Sequence, residues 1–153
     1  MSVDDASAAL SEMRYTAYLV GTLGPRGPHF MLGNWGTQAS FDPWRFVCMI
    51  KRTAHTLENL KARRAFTINL VDAAHKARIQ DIMRRKGEGL PGGKGALDAP
   101  RLEGSFAGFD CKVLDVHDTG GDHMLVVAEV VDGWKTGDGP AVALDDLALS
   151  YAG

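Results

Sequence analysis

The sequence predicts a mainly β fold (α+β minor), a small antiparallel barrel with two or three inserted helices. Three observations predict it. About seven runs rich in β-branched and aromatic residues are separated by turn signals. Most links between those runs are hairpin-like, which favours antiparallel pairing. Helical stretches are too few to cover both faces of a parallel sheet. Closure into a barrel removes the exposed edges that such a sheet would otherwise present.

The elements follow in order. Residues 1–13 are a polar lead-in with a short helical turn. Tyr15 to Thr22 is a strand, and Gly24-Pro25-Arg26-Gly27-Pro28 turns the chain. His29 to Leu32 is the return strand. Asp42-Pro43 leads into a strand from Trp44 to Lys51. Leu57 to Arg64 is a short helix, with Thr53 or Thr56 as its cap. Ala65 to Val71 is a strand. Asp72 caps a second helix, roughly 73–86 by pattern, whose apolar positions Ile79, Ile82 and Met83 share a face. Gly87 to Pro100 is a glycine-rich loop. Phe106 to Val116 and Asp122 to Val131 are long strands joined at Gly120-Gly121. Short strands are expected near Pro140 to Leu144 and near Leu149.

Composition sets limits on function. The 153 residues suit one domain spanning 1–153, and 45% hydrophobic with 24% charged residues is ordinary for a globular chain. The net charge of −2 offers no basic field for nucleic acid. No apolar run has the length of a membrane span. Met1-Ser2-Val3-Asp4-Asp5 lacks the cationic start of a secretory signal, so a cytoplasmic chain is expected. Cys48 and Cys111 lie far apart in apolar runs and suit buried free thiols rather than a metal site.

Two glycine motifs fail on context. Gly87-Glu88-Gly89-Leu90-Pro91-Gly92 matches a dinucleotide fingerprint in letters only, because it follows a helix and opens none. Gly93-Lys94-Gly95 lacks the hydroxyl residue that follows a P-loop lysine. The informative stretch is Gly33 to Leu57. Asn34, Thr37, Gln38 and Ser40 place four hydrogen-bonding side chains in a glycine-containing turn. One strand later come Lys51, Arg52, Thr53, His55 and Thr56, immediately before a helix. Hydroxyls, cations and helix N–H groups together suit a phosphate. The same residues also suit a capped helix beside a polar turn.

The order of these motifs resembles the flavin reductase-like family. The resemblance rests on Asn34-Trp35-Gly36-Thr37-Gln38-Ala39-Ser40-Phe41-Asp42-Pro43, on Lys51 to Thr56, and on Phe66-Thr67-Ile68-Asn69-Leu70. It continues through Leu102-Glu103-Gly104 and Cys111 to Gly121-Asp122-His123 and Glu129-Val130. It runs from about Tyr15 to Val131. Trp44 departs from it, standing where many relatives have a second proline.

The resemblance implies an FMN-binding split barrel that forms a homodimer with the flavin near the subunit interface. It implies an NAD(P)H:flavin oxidoreductase taking FMN or FAD, with NADH or NADPH as donor, and a partner oxygenase or other electron acceptor. The alternative in the same fold is an FMN-binding electron carrier without a nicotinamide site. Asn34, Trp35, Gly36, Thr37, Gln38 and Ser40 are the expected flavin contacts. Lys51, Arg52, Thr53, His55 and Thr56 are expected on the phosphate side. His123 is the candidate catalytic residue, near the ring where nicotinamide stacks. By strand period alone it reads as a satisfied residue at a strand mouth. Trp44 suits core or interface packing. No metal site is expected.

Overall fold

A computed structural model describes residues 3–147 of the chain. Helix α1 (Val3–Ser11) is followed by strands β1 (Tyr18–Gly24) and β2 (Gly27–Gly33), a tight hairpin with Gly24 opposite Gly27. Gly27 has φ +106°, a conformation glycine adopts without a Cβ clash. A second hairpin joins β3 (Gly36–Phe41) and β4 (Trp44–Lys51). Helix α2 (His55–Arg63), β5 (Ala65–Leu70) and α3 (Lys76–Arg84) come next. The short β6 (Gly92–Lys94) pairs with β7 (Pro100–Leu102). The long β8 (Ala107–Asp118) and β9 (His123–Lys135) complete the strands.

Seven strands form one antiparallel sheet in the order β2-β1-β5-β8-β9-β4-β3. Laid flat, its outer strands would be about 29 Å apart at ~4.8 Å per step. Yet β2 and β3, the two outer strands, are joined only by Asn34 and Trp35. That link spans at most about 11 Å. The sheet therefore curls into a barrel. Tyr18 of β1 meets Phe46 of β4 edge to face across its interior, with ring centroids 6.1 Å apart.

The period of two along each strand divides the side chains between two cores. Tyr18 and Val20, Phe46, Cys48 and Ile50, Phe66 and Ile68, and Val126 and Ala128 fill the barrel. Helix α2 adds Leu57 and Leu60 to that interior. Leu19, Phe30, Ile79, Ile82 and Leu102 form a second core, where α3 packs on the outside. Each such aliphatic or aromatic side chain contributes about 1.5–3 kcal/mol when fully buried. Cys48 and Cys111 are free thiols in the barrel core, and burial pushes the Cys48 thiol up to about 12.

Several expectations are corrected. The stretch expected as a polar turn, Gly36 to Phe41, is a strand. It lies at the sheet edge with Thr37, Gln38 and Ala39 exposed, so no apolar alternation marks it. Helix α2 starts at Ala54 as N-cap with no side-chain cap, so neither Thr53 nor Thr56 caps it. Asp72 does cap, accepting from the Ala74 N–H at 3.0 Å, but one 3₁₀ turn (Ala73–His75) precedes α3. The Gly87 to Pro100 loop contains β6. Near Pro140 to Leu144 there is only a single bridge, Ala143 to Thr16, followed by a 3₁₀ turn. The strand expected near Leu149 lies outside the described residues.

Candidate functional site

One end of the barrel brings together some of the residues singled out from the sequence. The β4 and β9 register sets Lys51 opposite His123 and Met49 opposite Leu125. The Asn34-Trp35 link folds over this end, because the Met49 N–H donates to the Trp35 carbonyl at 2.8 Å. The Trp35 ring then rests on His123, with centroids 4.7 Å apart and planes tilted by 52°. His123 is largely buried, at 19% side-chain exposure, and its Nδ1 bonds Asp122 Oδ1 at 2.7 Å. That bond holds the Asp122 carboxyl below the usual carboxylate range. It also leaves Nε2 as the ring nitrogen available to another partner.

Helix α2 begins four residues beyond Lys51, after an Arg52-Thr53-Ala54 turn closed by the Ala54 N–H on the Lys51 carbonyl at 3.0 Å. Alanine at the N-cap has no oxygen to offer, so the first-turn N–H groups of His55 and Thr56 have no side-chain cap. Such a helix start attracts anions, with a dipole contribution of about 0.3–1 kcal/mol at the surface. Lys51, Thr53 and His55 stand exposed around it. Thr56 does not: it is fully buried, and its hydroxyl contacts Met31 Sδ at 3.3 Å.

Arg52 is committed elsewhere. Its guanidinium pairs with Asp118 and donates to the Gly121 carbonyl at 2.6 Å. Along β3, Thr37 stays at the site. Gln38 and Ser40 run away from it, Ser40 lying opposite Arg45. Four residues of strand separate Ser40 from Gly36 by about 13 Å. Trp44 is 55% exposed and packs edge to face on Phe41 at the β3–β4 turn, so it is not a core residue.

A cavity of about 660 Å³ opens beside Trp35; Lys51 and His123 do not line it, and the α2 start (Ala54, His55, Thr56) borders a separate cavity of about 320 Å³. Asn34, Trp35, Gly36, Thr37, Met49 and Leu125 line one wall of the larger cavity. Leu10, Met13, Arg14, Tyr15 and Thr16 supply the other, a contribution the sequence did not suggest. Its only sequence signal was the pair Leu10 and Met13 inside a polar segment. The volume lies within the range of cofactor sites, about 300–1,000 Å³.

The residues present fit a flavin. Trp35, Met49 and Leu125 offer apolar lining to a ring, and Asn34 and Thr37 offer polar groups. Lys51, Thr53, His55 and the α2 start supply the donor set that a phosphate requires. Among the described residues no helix is long and apolar enough to cross a membrane.

The fold is a mainly β, antiparallel split barrel. A model of the flavin reductase like domain matches residues 10–149, and the chain belongs to that family. An FMN reductase (NADH), RutF 2, of Methylorubrum extorquens (strain PA1) is 26% identical over 125 residues, covering 78% of this chain and 73% of the relative. An FMN-binding protein from Thermus thermophilus, solved with 1-cyclohex-2-enone, shares 27% identity at a TM-score of 0.74, covering 82% of this chain and 72% of that one. The NADH:FAD oxidoreductase SgcE6 of Streptomyces globisporus C-1027 shares the fold, with a TM-score of 0.76, 18% identity, and coverage of 88% and 85%.

Proposed function

We propose that the chain is an NAD(P)H:flavin oxidoreductase that holds FMN, or FAD, at this barrel end and reduces it with hydride from NADH or NADPH. The observation that carries the reading is the convergence of Trp35, Lys51 and His123 beside an uncapped helix start. The likeness to an FMN reductase (NADH) supports it. When bound, the flavin supplies a hydride acceptor at N5.

The chain's own residues do the rest. Lys51, Thr53, His55 and the first-turn N–H groups of α2 bind and orient the phosphate. Thr56 acts through its backbone N–H, since its hydroxyl is turned onto Met31. Asn34, Gly36 and Thr37 edge the ring slot, and Trp35 with Met49 keeps water from it. His123, oriented by Asp122, offers Nε2 to the stacked rings as a hydrogen-bond or proton partner. Holding the two rings at near-attack distance is the main catalytic demand.

The exposed Phe41 and Trp44 pair is apolar surface suited to a second copy, and we propose a homodimer. Reduced flavin or its electrons would pass to a partner oxygenase, making the chain the reductase component of a two-component monooxygenase.

Anaerobic mixing with FMN and either nicotinamide tests the function. The visible flavin absorbance should bleach with NADH or NADPH. A bound flavin that stays oxidised with both, yet bleaches with dithionite, would make the chain an electron carrier instead.

A further inference from the structure

The two cations that precede α2 divide their work. Lys51 stands exposed, opposite His123. Arg52 grips the turn between β8 and β9. Its Nε donates to the Gly121 carbonyl at 2.6 Å, and one terminal nitrogen donates to Asp118 Oδ2 at 3.1 Å. The other terminal nitrogen bonds Asp118 Oδ1. The Arg52 main-chain N–H adds a bond to the Asp122 carbonyl at 2.9 Å.

The turn gains further order from its own residues. Asp118 Oδ1 accepts from the Gly120 N–H at 2.7 Å, and the Thr119 hydroxyl donates to the His123 carbonyl at 2.5 Å. Thr119-Gly120-Gly121-Asp122 would be a mobile sequence on its own, because glycine loses the most backbone freedom on folding. A guanidinium holding a carboxylate with two nitrogens is the strong, directional form of ion pair. A guanidinium so engaged would have to leave Asp118 to meet a phosphate. The turn it holds ends in Asp122-His123, where Asp122 bonds the imidazole that meets Trp35.

We propose that Arg52 is a positioning residue: it fixes the β8–β9 turn so that His123 stays over Trp35, and it is not a phosphate ligand. The consequence for flavin reduction rests on the function proposed above. The placement of His123 does not. Lysine is a poor substitute, since one ammonium cannot match the guanidinium fork on Asp118 while also reaching the Gly121 carbonyl.

Proton NMR of the full-length, flavin-free chain tests the placement. The His123 ring signals, assigned with His123→Gln, should be displaced by the Trp35 ring. Arg52→Ala should move them toward ordinary histidine positions, and the reversed pair Arg52→Asp with Asp118→Arg should bring them part of the way back. FMN affinity of Arg52→Ala should stay within about twofold of the parent, while kcat for flavin reduction falls about fivefold or more. Should Arg52→Ala not fold, Asp118→Asn gives the same NMR reading. Unchanged His123 signals would overturn the proposal. A tenfold loss of FMN affinity with unchanged signals would make Arg52 a phosphate ligand after all. A parent chain that does not reduce flavin would sink the proposed function, but the NMR result would still decide the role of Arg52.

Discussion

Lys51 and His123 face each other across β4 and β9, and they carry different expectations. Lys51 is exposed; in the proposed function it meets the phosphate, so Lys51→Met should weaken FMN binding by about 1–2 kcal/mol. Fluorescence titration measures this. The loss should shrink in strong salt, where the screening length falls to about 3 Å at 1 M. A loss independent of salt would contradict an electrostatic role. His29 bears on stability instead. Burial holds its imidazole below the ordinary value; Glu88 pulls the other way and His55 adds to the depression. A depressed histidine is protonated later in the folded chain than in the unfolded one. Its stabilising contribution is therefore complete above about pH 6.5 and is lost as pH falls through the folded value. Urea midpoints should drop from about pH 7.5 to about pH 5.5, and His29→Gln should flatten the drop. An equal drop in the variant would show that other groups carry it. At this scale His123 was singled out only through the family resemblance, since strand period alone leaves it a satisfied residue at a strand mouth. The work of Arg52 was not legible, since its partner Asp118 lies 66 residues away.

Helix α2 and strand β4 could be read from local pattern, because both bury one clear face. Strand β3 could not. An edge strand with exposed polar residues has no periodic signature, and its hydrogen-bonding side chains resemble those of a turn. The same blindness hid the cap of α2: threonines at the right spacing suggest capping, but their directions are fixed only by tertiary packing. The attachment of α3 gives a prediction at this scale. Gly87 has φ +79°, and a Cβ there would sit 2.2 Å from the Phe30 carbonyl oxygen. Its own carbonyl accepts from the Phe30 N–H at 3.0 Å, tying the end of α3 to β2. Gly87→Ala should destabilise the chain by more than about 1 kcal/mol. Leu60→Ala removes a fully buried side chain from the barrel and should cost about 2–5 kcal/mol. Denaturant unfolding measures both, and a neutral Gly87→Ala would mean that the α3–β2 junction relaxes freely.

For the whole molecule, the barrel follows from one topological fact: two residues join the outermost strands of a seven-stranded sheet. The same short link carries Asn34 and Trp35 to the end where α2 starts, so closing the barrel also builds the site. Antiparallel β content was legible from the hairpin signals, whereas the walling of the cavity by Leu10 and residues 13–16 was not. That wall is a long-range packing result. FMN at a hundred times its Kd should stabilise the folded chain by about 2.7 kcal/mol and raise Tm accordingly. Sedimentation at micromolar concentration should show a dimer, and a monomer would count against a site near a subunit interface.

In the proposed function the flavin phosphate meets Lys51 and the uncapped start of α2. Parallel titrations with FMN and with riboflavin, which lacks the phosphate, test it most directly. FMN should bind at least about tenfold more tightly, a difference of about 1.4 kcal/mol, and Lys51→Met should erase most of that advantage. Equal affinity for the two flavins would contradict the account.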